Sequence, residues 1–414
     1  MSAGFAAADV AVSGDARMGV VSSATGDAVF SNRIRVKFSG SGTTDGGLAF
    51  GGSFRANEAS LAESTGTKGS AFISGAFGKI SFGSLDSGDA ASVGQLASVG
   101  WDGAGYGNSI SYAADAGGDN GMPGALSDAG GARVLYTYSA GALTINASTA
   151  QLSNGGATAY GIGGSYTSGA LTMAVGYGSV TGGSITGLNA YETTAVSSAA
   201  QTTAATAVLG VITVAGTTTL AIAAQPIGYY ATSALDASMT DVSLSVQYVM
   251  DNTTIKAIYQ TKTLEASAAA RANVAFTTAA TVADTVGILT GTGAALSAAT
   301  GAHSHAAIDL SSKATSMGLS VVQKMDALSL TAYGINTTVD ADSDLSADDP
   351  TVSRYGIGFG YDLGGGASVA GGWATVDALV PTAVTTAVSD GVLQTYTLTS
   401  VSADTWDMGV NFSF

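Results

Sequence analysis

The sequence predicts an all-β fold, a transmembrane antiparallel β-barrel of 16 strands with short turns at one end and long loops at the other. Three observations carry that reading. Apolar and polar residues alternate with period two along most of the chain. The connectors between alternating segments are short and long by turns. The chain also closes on "TWDMGVNFSF", in which every second residue from Trp406 is apolar.

The alternation is clearest near the start. In "DVAVSGDARMGVV" the even positions Val10, Val12, Ala16, Met18 and Val20 are apolar, while the odd ones include Ser13, Asp15 and Arg17. In "FSNRIRVKF", Ile34, Val36 and Phe38 interleave with Arg33, Arg35 and Lys37. "LAFGGSFRANE" sets Leu48, Phe50 and Phe54 against Ser53, Arg55 and Asn57. A period of two means a sheet with one apolar face and one wet face. The helical period of 3.6 is hard to find anywhere in the chain.

Composition points to a membrane. Only 11% of the 414 residues are charged, against roughly 25% in soluble proteins. The uncharged stretch 204–224, "AATAVLGVITVAGTTTLAIAA", is diluted by Thr and Gly and broken at Ala215-Gly216, so it makes a poor membrane helix. With no Cys in the chain, barrel closure must hold the fold in place of disulfides. The net charge of −16 argues against a nucleic-acid partner, which needs a basic footprint. Residues 1–8 end in Ala6, Ala7 and Ala8 before Asp9 and read as the tail of a secretory signal or an expression remnant. A single barrel domain then covers 9–414.

Sixteen segments satisfy the pattern: 9–21, 29–39, 47–58, 69–77, 79–85, 132–139, 142–151, 158–167, 170–179, 240–250, 253–263, 315–324, 327–337, 352–362, 366–377 and 405–414. Short turns fall at "FGK", "SAGA", "TSGA", "MDN", "KMDA" and "LGGGA". Long connections fall at 86–131, 180–239, 264–314, 338–351 and 378–404. Short periplasmic turns facing long external loops are the layout of an outer-membrane barrel. The last segment, with Trp406, Met408, Val410, Phe412 and Phe414 on one face, reads as the strand that closes it.

"VSGDARMGVV", "SNRIRVKFSGSGTTDGGLAFGGSFRANE", "SGAFGKISFG", "RVLYTYSAGA" and "YDLGGGASVAGG" together resemble the general (diffusion) porins of Rhodobacter-type alphaproteobacteria. The resemblance covers about the first 175 residues and the last 60. It implies a homotrimer of sixteen-stranded barrels in the outer membrane of a Gram-negative bacterium, each with its own water-filled pore. It also implies a third loop folded inward as a constriction, with bound calcium in that region. Two features depart from the family pattern. Loops 180–239 and 264–314 are longer, and the third loop is less acidic. The first departure leaves 18 strands open, because "ATAVLGVITV" and "TTLAIAAQP" read either as a hairpin above the membrane or as two more wall strands.

If Ile34, Val36 and Phe38 face lipid, then Arg33, Arg35 and Lys37 face the lumen, since a charge on the lipid face costs about 2–4 kcal/mol near the midplane. Arg17 and Arg55 share that phase, so five cations line one arc of the pore. The third loop, 86–131, offers Asp86, Asp89, Asp102, Asp115, Asp119 and Asp128. Folded inward, these acids would face the arc and set a transverse field at the narrowest point. Candidate calcium ligands are Asp102, Asp115 and Asp119 of this loop. A second set, Asp340, Asp342 and Asp344, lies in "TVDADSDLSADDP". There Leu345 stands in place of the turn Gly and Thr351 in place of the final Glu of a calcium-binding loop, so a plain solvated loop is the first reading.

No catalytic constellation is visible, and two His residues in the whole chain leave little scope for acid–base work. The chain therefore reads as a channel for passive diffusion of small hydrophilic solutes and ions, not an enzyme. It requires no cofactor, with calcium the one ion the resemblance suggests, and outer-membrane lipid and lipopolysaccharide surround it. A substrate-selective channel and a secreted acidic β-rich surface-layer protein are the alternatives.

Overall fold

The computed structural model describes residues 9–22, 27–59, 69–101, 107–115, 133–151, 158–184, 236–268, 271–278, 299–305, 308–309, 312–340, 351–388 and 391–414. The elements, in chain order, are β1 (Asp9–Ser22), β2 (Ala28–Thr43), β3 (Ala49–Ala59), β4 (Gly69–Gly75), β5 (Gly78–Gly83), α1 (Gly88–Val93), β6 (Arg133–Ala140), β7 (Leu143–Gln151), β8 (Thr158–Ser168), β9 (Leu171–Ser184), β10 (Asp236–Met250), β11 (Thr253–Ala268), β12 (Arg271–Thr278), β13 (Ala299–His305), β14 (Ile308–Asp309), β15 (Ser312–Met325), β16 (Leu328–Asp340), β17 (Thr351–Gly364), β18 (Ala367–Val388) and β19 (Gly391–Ser413).

Sixteen of these strands, β1–β11 and β15–β19, form one antiparallel wall in which each pairs with the next. β1 pairs with both β2 and β19, so the sheet closes on itself. Closure removes the unpaired edges that an open sheet would expose. Because β9 pairs directly with β10, and β11 with β15, no strand from the long insertions enters the wall. The barrel has 16 strands, not 18. "ATAVLGVITV" and "TTLAIAAQP" lie outside the described residues.

The turns follow from residue chemistry. Gly141 (φ 60°) and Gly169 (φ 58°) open two-residue turns, and Asp251 (φ 41°) and Asp326 (φ 49°) do the same between β10 and β11 and between β15 and β16. Such hairpin turns need left-handed backbone at that position to match strand twist. The outward phase carries exposed apolar side chains all round the wall, from Phe30 and Ile34 through Ile162, Val175 and Leu244 to Ile357. That is far more apolar surface than a water-exposed protein shows. Among the described residues no helix is long and apolar enough to cross a membrane.

Two connections differ from the sequence reading. Residues 378–404 are not a loop: β18 and β19 run on together, in register from Val376 opposite Ala403 to Val388 opposite Gly391. This Thr- and Val-rich ribbon has β-branched residues suited to strands but no clean apolar–polar alternation, which is why pattern alone missed it. Part of 264–314 is also strand. β11 continues to Ala268, β12 and β13 pair as a separate hairpin, and β14 adds two residues at the end of β11.

The buried apolar cluster lies inside the barrel. It joins Ala90, Val93, Leu96, Val99, Ile110 and Tyr112 of the loop between β5 and β6 to Ala174, Ile258, Tyr333, Ile335 and Ala374 of the wall. Among the described residues the buried apolar cluster lies where that loop rests against the barrel.

Candidate functional site

The lumen has two sides: a basic stretch on β1–β3, and a wall sheathed by the inward loop. The loop leaves β5, forms α1 over β7–β10, and then runs along the inner wall to β19 and β1. Lys256 Nζ on β11 donates to the Val93 carbonyl at 2.7 Å, and Ala97 N donates to Ser320 Oγ on β15 at 3.2 Å. Trp101 ends the described outward run. Its backbone N–H donates to Asp407 Oδ1 at 2.7 Å, and its indole N–H donates to the Val410 carbonyl at 3.1 Å.

The return run of the loop, 107–115, lies beside the outward one. Gln95 and Ile110 exchange two hydrogen bonds (2.8 and 2.5 Å), Asn108 Nδ2 donates to the Leu96 carbonyl (2.6 Å), and Tyr112 Oη donates to the Gly94 carbonyl. Wall side chains hold this run too. Arg354 donates to the Ser109 carbonyl (3.1 Å), Lys262 to Ser111 O and Oγ (3.1 and 2.9 Å), and the Asp241 carboxylate accepts from Ala113 N (2.6 Å). The loop is a double-stranded strap tied to the wall from β7 round to β19.

The wall makes room for the strap with glycines on its inward phase. A Cβ at Gly178 would stand 2.6 Å from Asp89 Oδ2, one at Gly358 2.9 Å from Gly100 N, and one at Gly372 2.5 Å from the same atom. A strand glycine commonly marks such close approach of another backbone. Gly-x-Gly on alternate strand positions, in "GIGG", "VGYG" and "YGIGFG", is the signal that the sequence reading passed over. Lys256, Lys262 and Arg354, which tie the strap down, were also missed. Lys256 and Lys262 on β11 and Arg354 on β17 show no link to the loop until the barrel closes.

The five cations expected on the lumen face share one stretch of wall. Arg17 stands opposite Arg33, Asp15 opposite Arg35, and Lys37 lies between Ser13 and Arg55. Asp15, which was not singled out from sequence, sits within the arc. Arg33 Nη2 donates to its Oδ1 at 2.9 Å, and Arg35 Nε lies 3.9 Å from Oδ2 while donating to Asn57 Oδ1 at 3.1 Å. Arg17 reaches across to the strap, its guanidinium 5.6 Å from the Trp101 ring centroid, in the range of a cation–π contact.

The loop acids are placed differently from one another. Asp86 is exposed at the root of the loop. Asp89 is fully buried under α1, with neither carboxyl oxygen hydrogen-bonded. Burial first, and the Asp241 carboxylate second, push its pKa up to about 7. Asp115 pairs with Arg133 at 2.5 Å, and Arg133 also donates to the carbonyls of Leu85 (2.8 Å) and Ala114 (2.9 Å). Asp89 and Asp115 are thus turned to the wall rather than across the lumen from the arc. Asp102, Asp119 and Asp128 lie outside the described residues. In the closing strand, Val410 pairs with Met18 and Phe412 with Ala16 on β1, Trp406 and Met408 are exposed outward, and the Phe414 backbone bonds twice to Gly14 (2.6 and 2.9 Å).

Of the carboxylates expected to bind calcium, only Asp115 and Asp340 are described, and Asp115 is engaged by Arg133. Among the described residues no three His, Asp or Glu side chains gather at one point. Ser87 Oγ and both Asp89 carboxyl oxygens are buried without a hydrogen-bond partner, whereas the Asp241 carboxylate beside them accepts from Ala113 N, Ser243 Oγ and Gln260 Nε2.

A family model described as Gram-negative porin matches residues 1–281. A porin of Rhodobacter capsulatus is 42% identical over 177 residues, which is 41% of this chain and 56% of that relative's own length. The match therefore spans little more than half of it. Among solved structures, a porin refined at 1.8 Å resolution superposes over 98% of this chain and 100% of its own, with 27% identity and a TM-score of 0.56. OmpT of Vibrio cholerae, an outer-membrane protein solved in a trimer form, superposes over 99% of this chain and 100% of its own. At 15% identity and a TM-score of 0.57 it speaks to the fold alone.

Proposed function

The chain belongs to the Gram-negative porin family, and from that premise we propose that it is an outer-membrane channel for passive diffusion of small hydrophilic solutes and ions. One observation carries the reading: a closed wall, apolar outside and polar inside, encloses a lumen narrowed by a strap that its own side chains hold in place. Every backbone group of such a wall is paired, which lets strands cross a bilayer. No catalytic step is part of this reading. The aromatic residues Tyr355, Phe359 and Tyr361 point outward, so they build no sugar-binding ladder in the lumen, and this favours general diffusion over a substrate-selective pore.

The narrowest stretch lies between the strap and the arc of Arg17, Arg33, Arg35, Lys37 and Arg55. A field across it, set by the charges of the arc facing the strap, would orient dipolar solutes and slow apolar ones. The reading includes a homotrimer set in outer-membrane lipid and lipopolysaccharide, supported by the family and by the broad apolar outer face. It also includes a calcium ion at the root of the strap, where Asp89, Asp241 and Ser87 would hold it and its charge would offset theirs. Purified protein added to a planar bilayer tests the whole. Conductance steps in groups of three are expected, with altered ion selectivity when Arg33→Gln and Arg35→Gln are combined. Silence in the bilayer would overturn the channel, and unchanged selectivity would remove the field.

A further inference from the structure

The charges on the described lumen wall do not cancel. On β1–β3 five cations share the inward phase with two carboxylates: Asp15, which is taken by Arg33 and Arg35, and Asp9 at the start of β1, opposite Ser41. On the strap side, Asp89 is buried against the wall and Asp115 is spent on Arg133. Lys256, Lys262 and Arg354 bind backbone carbonyls of the strap, and Lys262 also faces the Asp241 carboxylate.

Within this lining one place stands out. Lys37 and Arg55 are direct cross-strand partners, so their Cα atoms are about 5 Å apart. Neither takes part in an ion pair among the described residues. Lys37 is exposed to the lumen. Ser13 stands opposite Lys37 on β1, and Ser39 and Ser53 form the next rung on the same face. This rung lies four residues along β2 from the Arg17–Arg33 level, roughly 13 Å nearer the short-turn end, below the level that Trp101 reaches. Lys79, 4.5 Å from the Phe72 ring centroid, carries the basic track on toward the mouth.

We propose that Lys37 and Arg55, ringed by the hydroxyls of Ser13, Ser39 and Ser53, form a binding rung for small oxyanions, so that the pore favours phosphate- and carboxylate-bearing solutes over cations. Two cations held side by side repel each other, and an oxyanion between them relieves that while accepting hydrogen bonds from both and from the serines. The preference would be opposite in sign to the net charge of −16 of the whole chain, because local lining and not overall charge sets the potential an ion meets in a pore. This inference rests on the channel reading above.

Reversal potentials under a tenfold potassium chloride gradient, with the protein in planar bilayers, decide it. Chloride should permeate several-fold better than potassium. Inorganic phosphate added on one side should reduce the chloride current saturably. Lys37→Gln with Arg55→Gln should abolish the phosphate block, and Lys37→Glu with Arg55→Glu should turn the selectivity toward cations. Should the double variants fail to insert, Lys37→Gln alone, at an exposed position, should still weaken the block several-fold. Potassium preference in the unaltered channel, or a phosphate block indifferent to these substitutions, overturns the rung while leaving the channel standing. A protein that opens no channel overturns the channel reading itself.

Discussion

Trp101 of the strap lies against Gly409 of β19, so close that a Cβ on Gly409 would stand 2.4 Å from Trp101 Cε2. The contact joins the tip of an inward loop to the strand that closes the barrel, 308 positions later in the chain. It is backed by the two hydrogen bonds to Asp407 and Val410.

Gly409→Leu should therefore dislodge the strap tip and also strain the β1–β19 seam, since its Cβ would stand 2.6 Å from the Met18 carbonyl oxygen on β1. Single-channel conductance should rise, and protease should cut between β5 and β6 in folded, membrane-inserted protein. Trp101→Ala should act in the same direction and cost about 3–5 kcal/mol of docking, as for other buried Trp truncations. Unchanged conductance in both variants would mean that the tip does not narrow the pore.

Arg133 and Asp115 anchor the other end. Their side chains are only 6% and 18% exposed, so removing one partner strands the other. Arg133→Ala should cost about 3–5 kcal/mol, read as a lower unfolding temperature. The paired change Arg133→Met with Asp115→Leu should cost much less, because no uncompensated charge is left. Equal losses in the single and paired variants would show that the ion pair matters only through packing.

Asp89 makes strap docking depend on pH. Its carboxyl shifts from the usual 3.8 up to about 7 when docked, so the docked state keeps a proton that the released state gives up. Docking should be strongest below pH 4, weaken as pH rises from 4 to 7, and level off above. Limited proteolysis of the strap across that range, in a calcium-chelating buffer, should show the trend, and Asp89→Asn should flatten it. Calcium added at pH 8 should restore docking to the unaltered protein but not further protect the Asn variant. A slope that persists in Asp89→Asn would place the titrating group elsewhere.

Ile162, 54% exposed on the outward face at mid-strand in β8, tests the membrane assignment. Ile162→Arg should destabilise the barrel in lipid by about 2–4 kcal/mol, measured by denaturant titration from vesicles. A loss below about 0.5 kcal/mol would mean that this position sits outside the hydrocarbon core, where the penalty fades.

Much of the wall was legible in the sequence because strand phase is local. Which way Arg35 points is decided by Val36 and Ile34 beside it, since neighbouring side chains on a strand must take opposite faces. The same logic found the sixteen wall strands, the turns and the closing strand, but cut several strands short at their loop ends, as with 170–179 against Leu171–Ser184 and 240–250 against Asp236–Met250. It faltered at 378–404, where Thr, Ala and Val form a ribbon with no apolar–polar contrast to read.

The strap was another matter. That residues 86–131 fold inward was implied by resemblance. That Asp89 faces Asp241 rather than the lumen, that Asp15 partly neutralises the arc, and that Lys256, Lys262 and Arg354 bind strap carbonyls were not legible. These contacts join residues far apart in the chain, such as Arg354 and Ser109 or Trp101 and Asp407. No local pattern encodes such distances. The sequence by itself determined a closed antiparallel barrel with a basic stripe inside, because alternation and turn chemistry act between neighbours. Only the tertiary structure decided where the loop lies and which acids it hides, because that depended on the closed barrel bringing inward glycines and cations from strands far apart in the chain to face one strap.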